Sequence, residues 1–442
     1  MIPLISIPIF LIYMNAPVVL VLEYGMPRPL AFLVPMLLIV PVIYRVVIRG
    51  EALRFPSMII AACLMLVCQT LSALLSDNPQ AGLETVFTWL VEGVMLAFLL
   101  VNALRTRHEV FVAANAIIAA GALMGLLVLL QQLLGPMEYS MAGFGQLSSD
   151  DPERLQHRMT GPIGEVNRFA QILAVLIPLA IGLAMTAPER RRRLYWIAAL
   201  LIFGGISLTF SRGAMVGLAL VIPVALLFGF LQVRHFVAAL IFGAVLLLAI
   251  PPLGVRVVSI GEVASMSLGL NPAGFRNADG ASRGRVTAMR AAGLMFLDHP
   301  LLGVGPGLAP EYYPEYAALA GGRVRPGRRR SHNLYLQLAA ETGAIGLVTF
   351  LGALCAALYP VDVARRRAQG SDRELWALLC GLELAMLILF ATSLFLHAAY
   401  VRYFWLLLAL AVAAAGLPCR PMQVESSAPP VRNTLGGLER SP

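Results

Sequence analysis

Runs of about 20 apolar residues, nearly free of charge, follow one another through most of this chain. As an α-helix, each is long enough to cross a ~30 Å hydrocarbon core. Inside that core every backbone polar group must be satisfied by protein, so only helices and closed barrels span it. A barrel is excluded here, because its strands would be shorter and would alternate apolar with polar residues. The expected fold is all-α: a polytopic membrane protein of about twelve transmembrane helices with a helical extracytoplasmic loop subdomain. Composition agrees, with 59% of the 442 residues hydrophobic and 13% charged, against about 25% charged in soluble domains.

The apolar runs lie near 2–22, 29–48, 57–76, 84–104, 109–134, 168–187, 194–210, 213–231, 235–252, 333–359, 375–397 and 400–418. Asn15 and Pro17 interrupt the first. Its flanks lack a basic segment and a clear small-residue cleavage site, so it reads as a retained helix rather than a signal peptide. Four units follow: helices 1–9 over 1–252, a loop subdomain over 253–332, helices 10–12 over 333–418, and a Pro-, Ser- and Arg-rich cytoplasmic tail over 419–442, expected to be disordered.

Net charge is +9, and all 33 basic residues are Arg. Guanidinium forks suit phosphate oxygens, although a GC-rich genome would enrich Arg as well. Position says more than number. With the N-terminus inside, the inside turns hold Arg45, Arg49, Arg54, Arg105, Arg107, Arg190 to Arg193, Arg234, Arg365 to Arg367 and Arg373. The short outside turns hold Arg28, Arg212 and Arg402. This is the positive-inside pattern, with both ends cytoplasmic. The long outer loop carries ten arginines against five carboxylates.

The cysteines Cys63, Cys68, Cys355 and Cys380 lie in apolar runs and Cys419 follows the last, which offers no disulfide framework. Neither paired carboxylates nor a His-x-x-x-His pattern marks an outside boundary, so no metal is expected. A Gly-x-x-x-x-Gly-Lys loop is also lacking, which argues against ATP. No cofactor and no nucleic-acid partner is expected.

Several residues carry candidate chemistry. His332, in SerHisAsn at 331–333, meets the mouth of an apolar run. A neutral imidazole there can take a proton from an attacking hydroxyl, or it can simply cap the helix. Arg212 occupies a very short turn, where a lone Arg is costly without a partner. Arg283, Arg285 and Arg290 lie on or beside a loop helix that Ser282 would cap and that would run to about 298. The expected apolar face of that helix is Val286, Met289, Ala292, Gly293, Phe296 and Leu297. Arg168 opens the run after GlyProIleGlyGluValAsn at 161–167. Arg323, Arg325 and Arg328 to Arg330 form a cluster that would meet headgroups or gather a polyanion, without a catalytic role. Glu92 and Glu383 lie within apolar runs and stay unassigned.

Taken in order, these stretches resemble the O-antigen ligase and polymerase superfamily. The resemblance rests on SerArgGlyAla at 211–214, AlaSerArgGlyArgVal and its helix over 281–298, and HisProLeuLeuGlyValGlyProGly at 299–307. SerHisAsn with Gly343 and Gly346 completes it, and AsnArgPheAla at 167–170 adds a weaker part. It implies a metal-independent, inverting glycosyltransferase of the bacterial inner membrane, with its active site on the periplasmic face. The implied donor is a glycan on undecaprenyl diphosphate, and the acceptor is lipid A–core or another glycan. On this chain His332 would be the general base. Arg212 and Arg285 would hold the pyrophosphate, with Arg168 contributing. The compact loop and the His-Asn spacing lean toward ligase. A polymerase joining lipid-linked repeats is the alternative, and a lipid-linked-sugar transporter is a more distant one.

Overall fold

The computed structural model describes residues 2–27, 29–135, 140–148, 158–234, 237, 241, 280–321, 330–396 and 401–420. Its helices, in chain order, are α1 (Ile2–Tyr13), α2 (Ala16–Tyr24), α3 (Phe32–Ile48), α4 (Ser57–Leu74), α5 (Pro79–Ala103), α6 (Arg107–Leu134) and α7 (Val166–Thr186). They continue with α8 (Glu189–Thr209), α9 (Arg212–Leu227), α10 (Gly280–Asp298), α11 (Ala309–Leu319), α12 (Leu334–Ala368), α13 (Arg373–Thr392) and α14 (Arg402–Ala415). No strand occurs among the described residues, apart from an isolated bridge between Leu147 and Met159. The chain is an all-α, multi-pass membrane protein.

Among the described residues seven helices, α4 to α8 with α12 and α13, are long and apolar enough to cross a membrane, and the bent pair α1–α2 would make an eighth. Helices α3, α9 and α14 are apolar but shorter. This count over the described residues does not confirm the twelve spans expected from the apolar runs. The run near 235–252 lies almost wholly outside the described residues, as do Arg28, Arg323, Arg325, Arg328, Arg329 and the tail from 421.

The first run breaks where polar Asn15 interrupts it. Asn15 takes a left-handed φ of 57°, and α1 and α2 bend by 55°. The Asn15 side chain donates to the Pro162 carbonyl at 2.8 Å, and the Tyr13 hydroxyl donates to the Ile172 carbonyl at 2.8 Å. The break is thus tied to α7 and the turn before it. Helix α14 is buried along its whole length from Arg402 to Ala414. A helix that is apolar all round belongs at the centre of a bundle, and Trp89 meets Trp405 there edge-on. Small residues let the helices approach closely. A Cβ on Gly182 would lie 2.6 Å from the Ala377 carbonyl oxygen, and one on Gly381 would lie 2.9 Å from the Leu179 Cα, so α7 and α13 touch backbone to backbone.

The arginine-rich turns gather at one end of the bundle. Arg45 pairs with Glu109 and, at 3.0 Å, with Glu51, and Arg105 reaches Glu51 at 3.2 Å. Arg107 pairs with Asp372 at 2.6 Å and Glu374 at 2.7 Å. Thr106 and Glu109 form a reciprocal cap that starts α6. Glu383, within a span, bonds Arg365 at 2.6 Å near this same end. The opposite end carries the starts of α7, α9, α12 and α14 and the finish of α13.

Candidate functional site

At that opposite end α12 starts at Asn333, whose side-chain oxygen accepts from the Leu336 amide at 3.0 Å. The Ser331 hydroxyl donates to the Asn333 carbonyl at 2.9 Å, and the Leu334 amide donates to the Ser393 carbonyl at 2.9 Å. The cap is therefore Asn333, which frees the imidazole before it from that duty. His332 itself is half-buried and has a φ of 52°. A left-handed backbone costs a residue with a Cβ about 1–3 kcal/mol, and such strain clusters at functional positions. Buried Ser331 and Asn333 hold it in place on either side.

Ten residues into α12 the helix breaks at Gly343, with φ 64° and ψ −165°. The break opens the backbone, and the Pro- and Gly-rich stretch at 299–307 fills it. The Val304 and Gly305 amides donate to the Ala340 and Glu341 carbonyls at 2.9 Å each, while the Ala344 amide donates to the Pro300 carbonyl at 2.8 Å. The chains approach so closely that a Cβ on Gly343 would lie 2.2 Å from the Leu301 carbonyl carbon, and one on Gly303 would lie 2.3 Å from that of Glu341. The Ser72 hydroxyl of α4 donates to the Leu302 carbonyl at 2.6 Å. Two motifs noted separately in the sequence are thus one structural unit.

Helices α10 and α11 pack on this unit. Ala288, Ala291, Ala292 and Met295 of α10 are buried with Tyr313, Tyr316 and Ala317 of α11 and Ala340 of α12. The loop helix therefore lies against the bundle, and its buried stripe is rotated from the expected one: Leu297 is 70% exposed. It starts at Gly280, which puts Ser282 inside its first turn rather than at its cap. The Tyr312 hydroxyl of α11 bonds the Asp77 carboxylate. Burial, and then that carboxylate, pushes the phenol up to about 12.

A cavity of about 430 Å³ opens at this end, lined by Arg168, Arg330 and Arg402 together with Glu92, Gln337 and Glu341. Arg168 lies in the first turn of α7, where Glu165 accepts from its amide at 2.8 Å. Arg402 opens α14 and bonds Glu92 of α5 at 2.6 Å, so Glu92 gains the partner that the sequence could not supply. Gln337 and Glu341 are one turn apart on α12, and the Gln337 amide donates to both Glu341 oxygens at 3.2 and 3.3 Å.

Of the four residues singled out in the sequence, Arg168 lines this cavity, whereas Arg212, Arg285 and His332 are not among its lining side chains. His332 stands two residues from Arg330, which does line it. Arg212 begins α9, and the Ser211 hydroxyl before it donates to the Asn167 side chain at 3.0 Å. The turns bearing Arg212 and Arg168 are therefore pinned together. Arg285 is half-buried on α10, and Arg290 is exposed. Sequence reasoning passed over Arg402, Gln337 and Glu341. The signal available for Arg402 was an arginine opening an apolar run, as Arg168 and Arg212 do. Among the described residues, no group of three or more His, Cys, Asp or Glu side chains is placed to hold a metal ion.

Residues 197–351 match the family model described as O-antigen ligase. This segment is similar to the O-antigen ligase family. It runs from within α8 through α9, α10 and α11 into α12, and so takes in Arg212, Arg285, Arg330, His332, Gln337, Glu341 and Gly343. The resemblance read from the motifs is thereby shown, and the enzyme class it carries is a glycosyltransferase of the O-antigen ligase and polymerase type. Arg168, Glu92 and Arg402 fall outside the matched stretch. No curated protein matches the chain significantly.

Proposed function

We propose that this protein transfers a glycan from undecaprenyl diphosphate to an acceptor hydroxyl, as an O-antigen ligase acting on lipid A–core. The observation that carries the reading is the convergence of Arg168, Arg330 and Arg402 on one cavity, with Arg330 next to SerHisAsn in the chain. The basic turns at the other end support a cytoplasmic location for that end by the positive-inside rule. The cavity then faces the periplasm across the inner membrane.

In the reaction the acceptor oxygen attacks the anomeric carbon from the face opposite the diphosphate. The bond from that carbon to the diphosphate oxygen breaks, and the configuration inverts. His332 takes the acceptor proton. Negative charge grows on the departing undecaprenyl diphosphate, and fixed guanidinium groups stabilise it most where water is scarce. Arg168 supplies one from the cavity wall, and Arg212, on the turn pinned to that of Arg168, and Arg285, on α10, would add others from outside the lining. Arg330 and Arg402 join them.

Purified protein, lipid A–core and lipid-linked polysaccharide provide the test. A ligase joins the two, whereas a polymerase lengthens lipid-linked repeats with no core present. Absence of both products would sink the reading.

A further inference from the structure

Among the described residues, the cavity holds buried polar atoms without a hydrogen-bond partner. Gln337, Arg402 and Tyr403 all line it, and each is only 7% exposed. The Gln337 side-chain oxygen, one terminal nitrogen of Arg402 and the Tyr403 hydroxyl have no hydrogen-bond partner among the described residues. Such groups are rare in folded proteins, and each calls for an explanation.

Their chemistry differs in a useful way. The second terminal nitrogen of Arg402 is fixed on Glu92 at 2.6 Å, so the first remains a donor, suited to an anionic oxygen. Gln337 is fixed the other way round. Its NH₂ group faces both Glu341 oxygens at 3.2 and 3.3 Å. A flipped amide would set oxygen against carboxylate, so Glu341 dictates the polarity. The remaining Gln337 oxygen can only accept. The backbone of Glu341 is itself held, its carbonyl accepting from the Gly305 amide at 2.9 Å. Glu92 is engaged by Arg402 and Glu341 by Gln337. In this cavity the Gln337 oxygen is therefore an acceptor of fixed direction, still without a partner among the described residues, and it suits a ligand group that donates.

We infer that Gln337, oriented by Glu341, is the residue that recognises the sugar attached to the diphosphate, by accepting from one of its ring hydroxyl or acetamido N–H groups. This rests on the donor reading above and deepens it. The cavity then has two parts: arginines for the diphosphate, and the Gln337 oxygen for the first sugar. Glu341 is a positioning residue that does not itself meet the sugar.

Binding to the full-length protein in detergent tests this without requiring transfer. The probes are geranyl diphosphate and its glucosyl, galactosyl and N-acetylglucosaminyl esters. At least one glycosyl ester is expected to bind the wild type about tenfold more tightly than bare geranyl diphosphate, the worth of one buried hydrogen bond. Gln337→Met removes the acceptor at similar volume and should abolish that increment, while bare geranyl diphosphate still binds and reports a folded cavity. Glu341→Gln lets the Gln337 amide turn over and should shrink the increment. No increment in the wild type, or an undiminished one in Gln337→Met, overturns the inference and leaves the transferase reading standing. An undiminished increment in Glu341→Gln overturns the positioning role. Failure of the wild type to bind any of the four probes overturns both readings.

Discussion

Arg402 and Glu92 meet at 2.6 Å although 310 residues separate them in the chain. One opens the central helix α14, and the other lies in α5. The pair closes one wall of the cavity and leaves an Arg402 nitrogen for a ligand. Removing one partner strands the other's charge at low exposure, which costs roughly 3 kcal/mol or more. Arg402→Ala should therefore lower the thermal midpoint in detergent. The double variant Glu92→Gln/Arg402→Met should recover most of that midpoint but not donor affinity. Full recovery of affinity would show that the pair is only structural.

His332→Ala should lose transfer by about 10²–10⁴-fold, the usual worth of a general base, and keep donor binding. Single-turnover rates beside equilibrium binding of geranyl diphosphate separate the two effects. Near-normal transfer would remove the imidazole from the mechanism.

Gly343→Ala has no room. Its Cβ would press on the Leu301 carbonyl at 2.2 Å, and its backbone is left-handed at φ 64°. We expect a loss of at least about 2 kcal/mol, seen as a lower thermal midpoint. Easier proteolysis near 299–307 should accompany it, because that stretch zips into the break. The Gly352→Ala change, with nothing within 4 Å of its Cβ, serves as the control and should be neutral or mildly stabilising.

Asp372, at the basic end, predicts a pH effect. Burial works against its carboxylate, but Arg107 and the amides of Arg420 and Leu375 outweigh burial and bring it from 3.8 to about 2. A lowered native pKa means that the unfolded chain takes up the proton first. The stabilisation is complete above about pH 4 and disappears as the pH falls toward about 2. Asp372→Asn should flatten the acid limb of a stability–pH curve between those values. An unchanged limb would refute the assignment.

The membrane class and the run-by-run layout were legible because hydrocarbon imposes one local rule. A span needs about 20 apolar residues and satisfies its own backbone, and both conditions can be read in a window of sequence. The asymmetry of the arginine turns was legible for the same reason, as were the motifs matched to the ligase domain. Convergence was not. Glu92 had no visible partner, and Arg402 gave no sign of being more than one more turn arginine. The ends of α5, α7, α12 and α14 meet only after the bundle packs, at distances that no local pattern encodes. The join between 299–307 and the break at Gly343 was hidden likewise, since each glycine makes sense only against the other's backbone. Composition and periodicity determined which segments enter the membrane. Tertiary packing decided which polar groups share a cavity, because a buried charge or amide takes whatever partner folding brings to it.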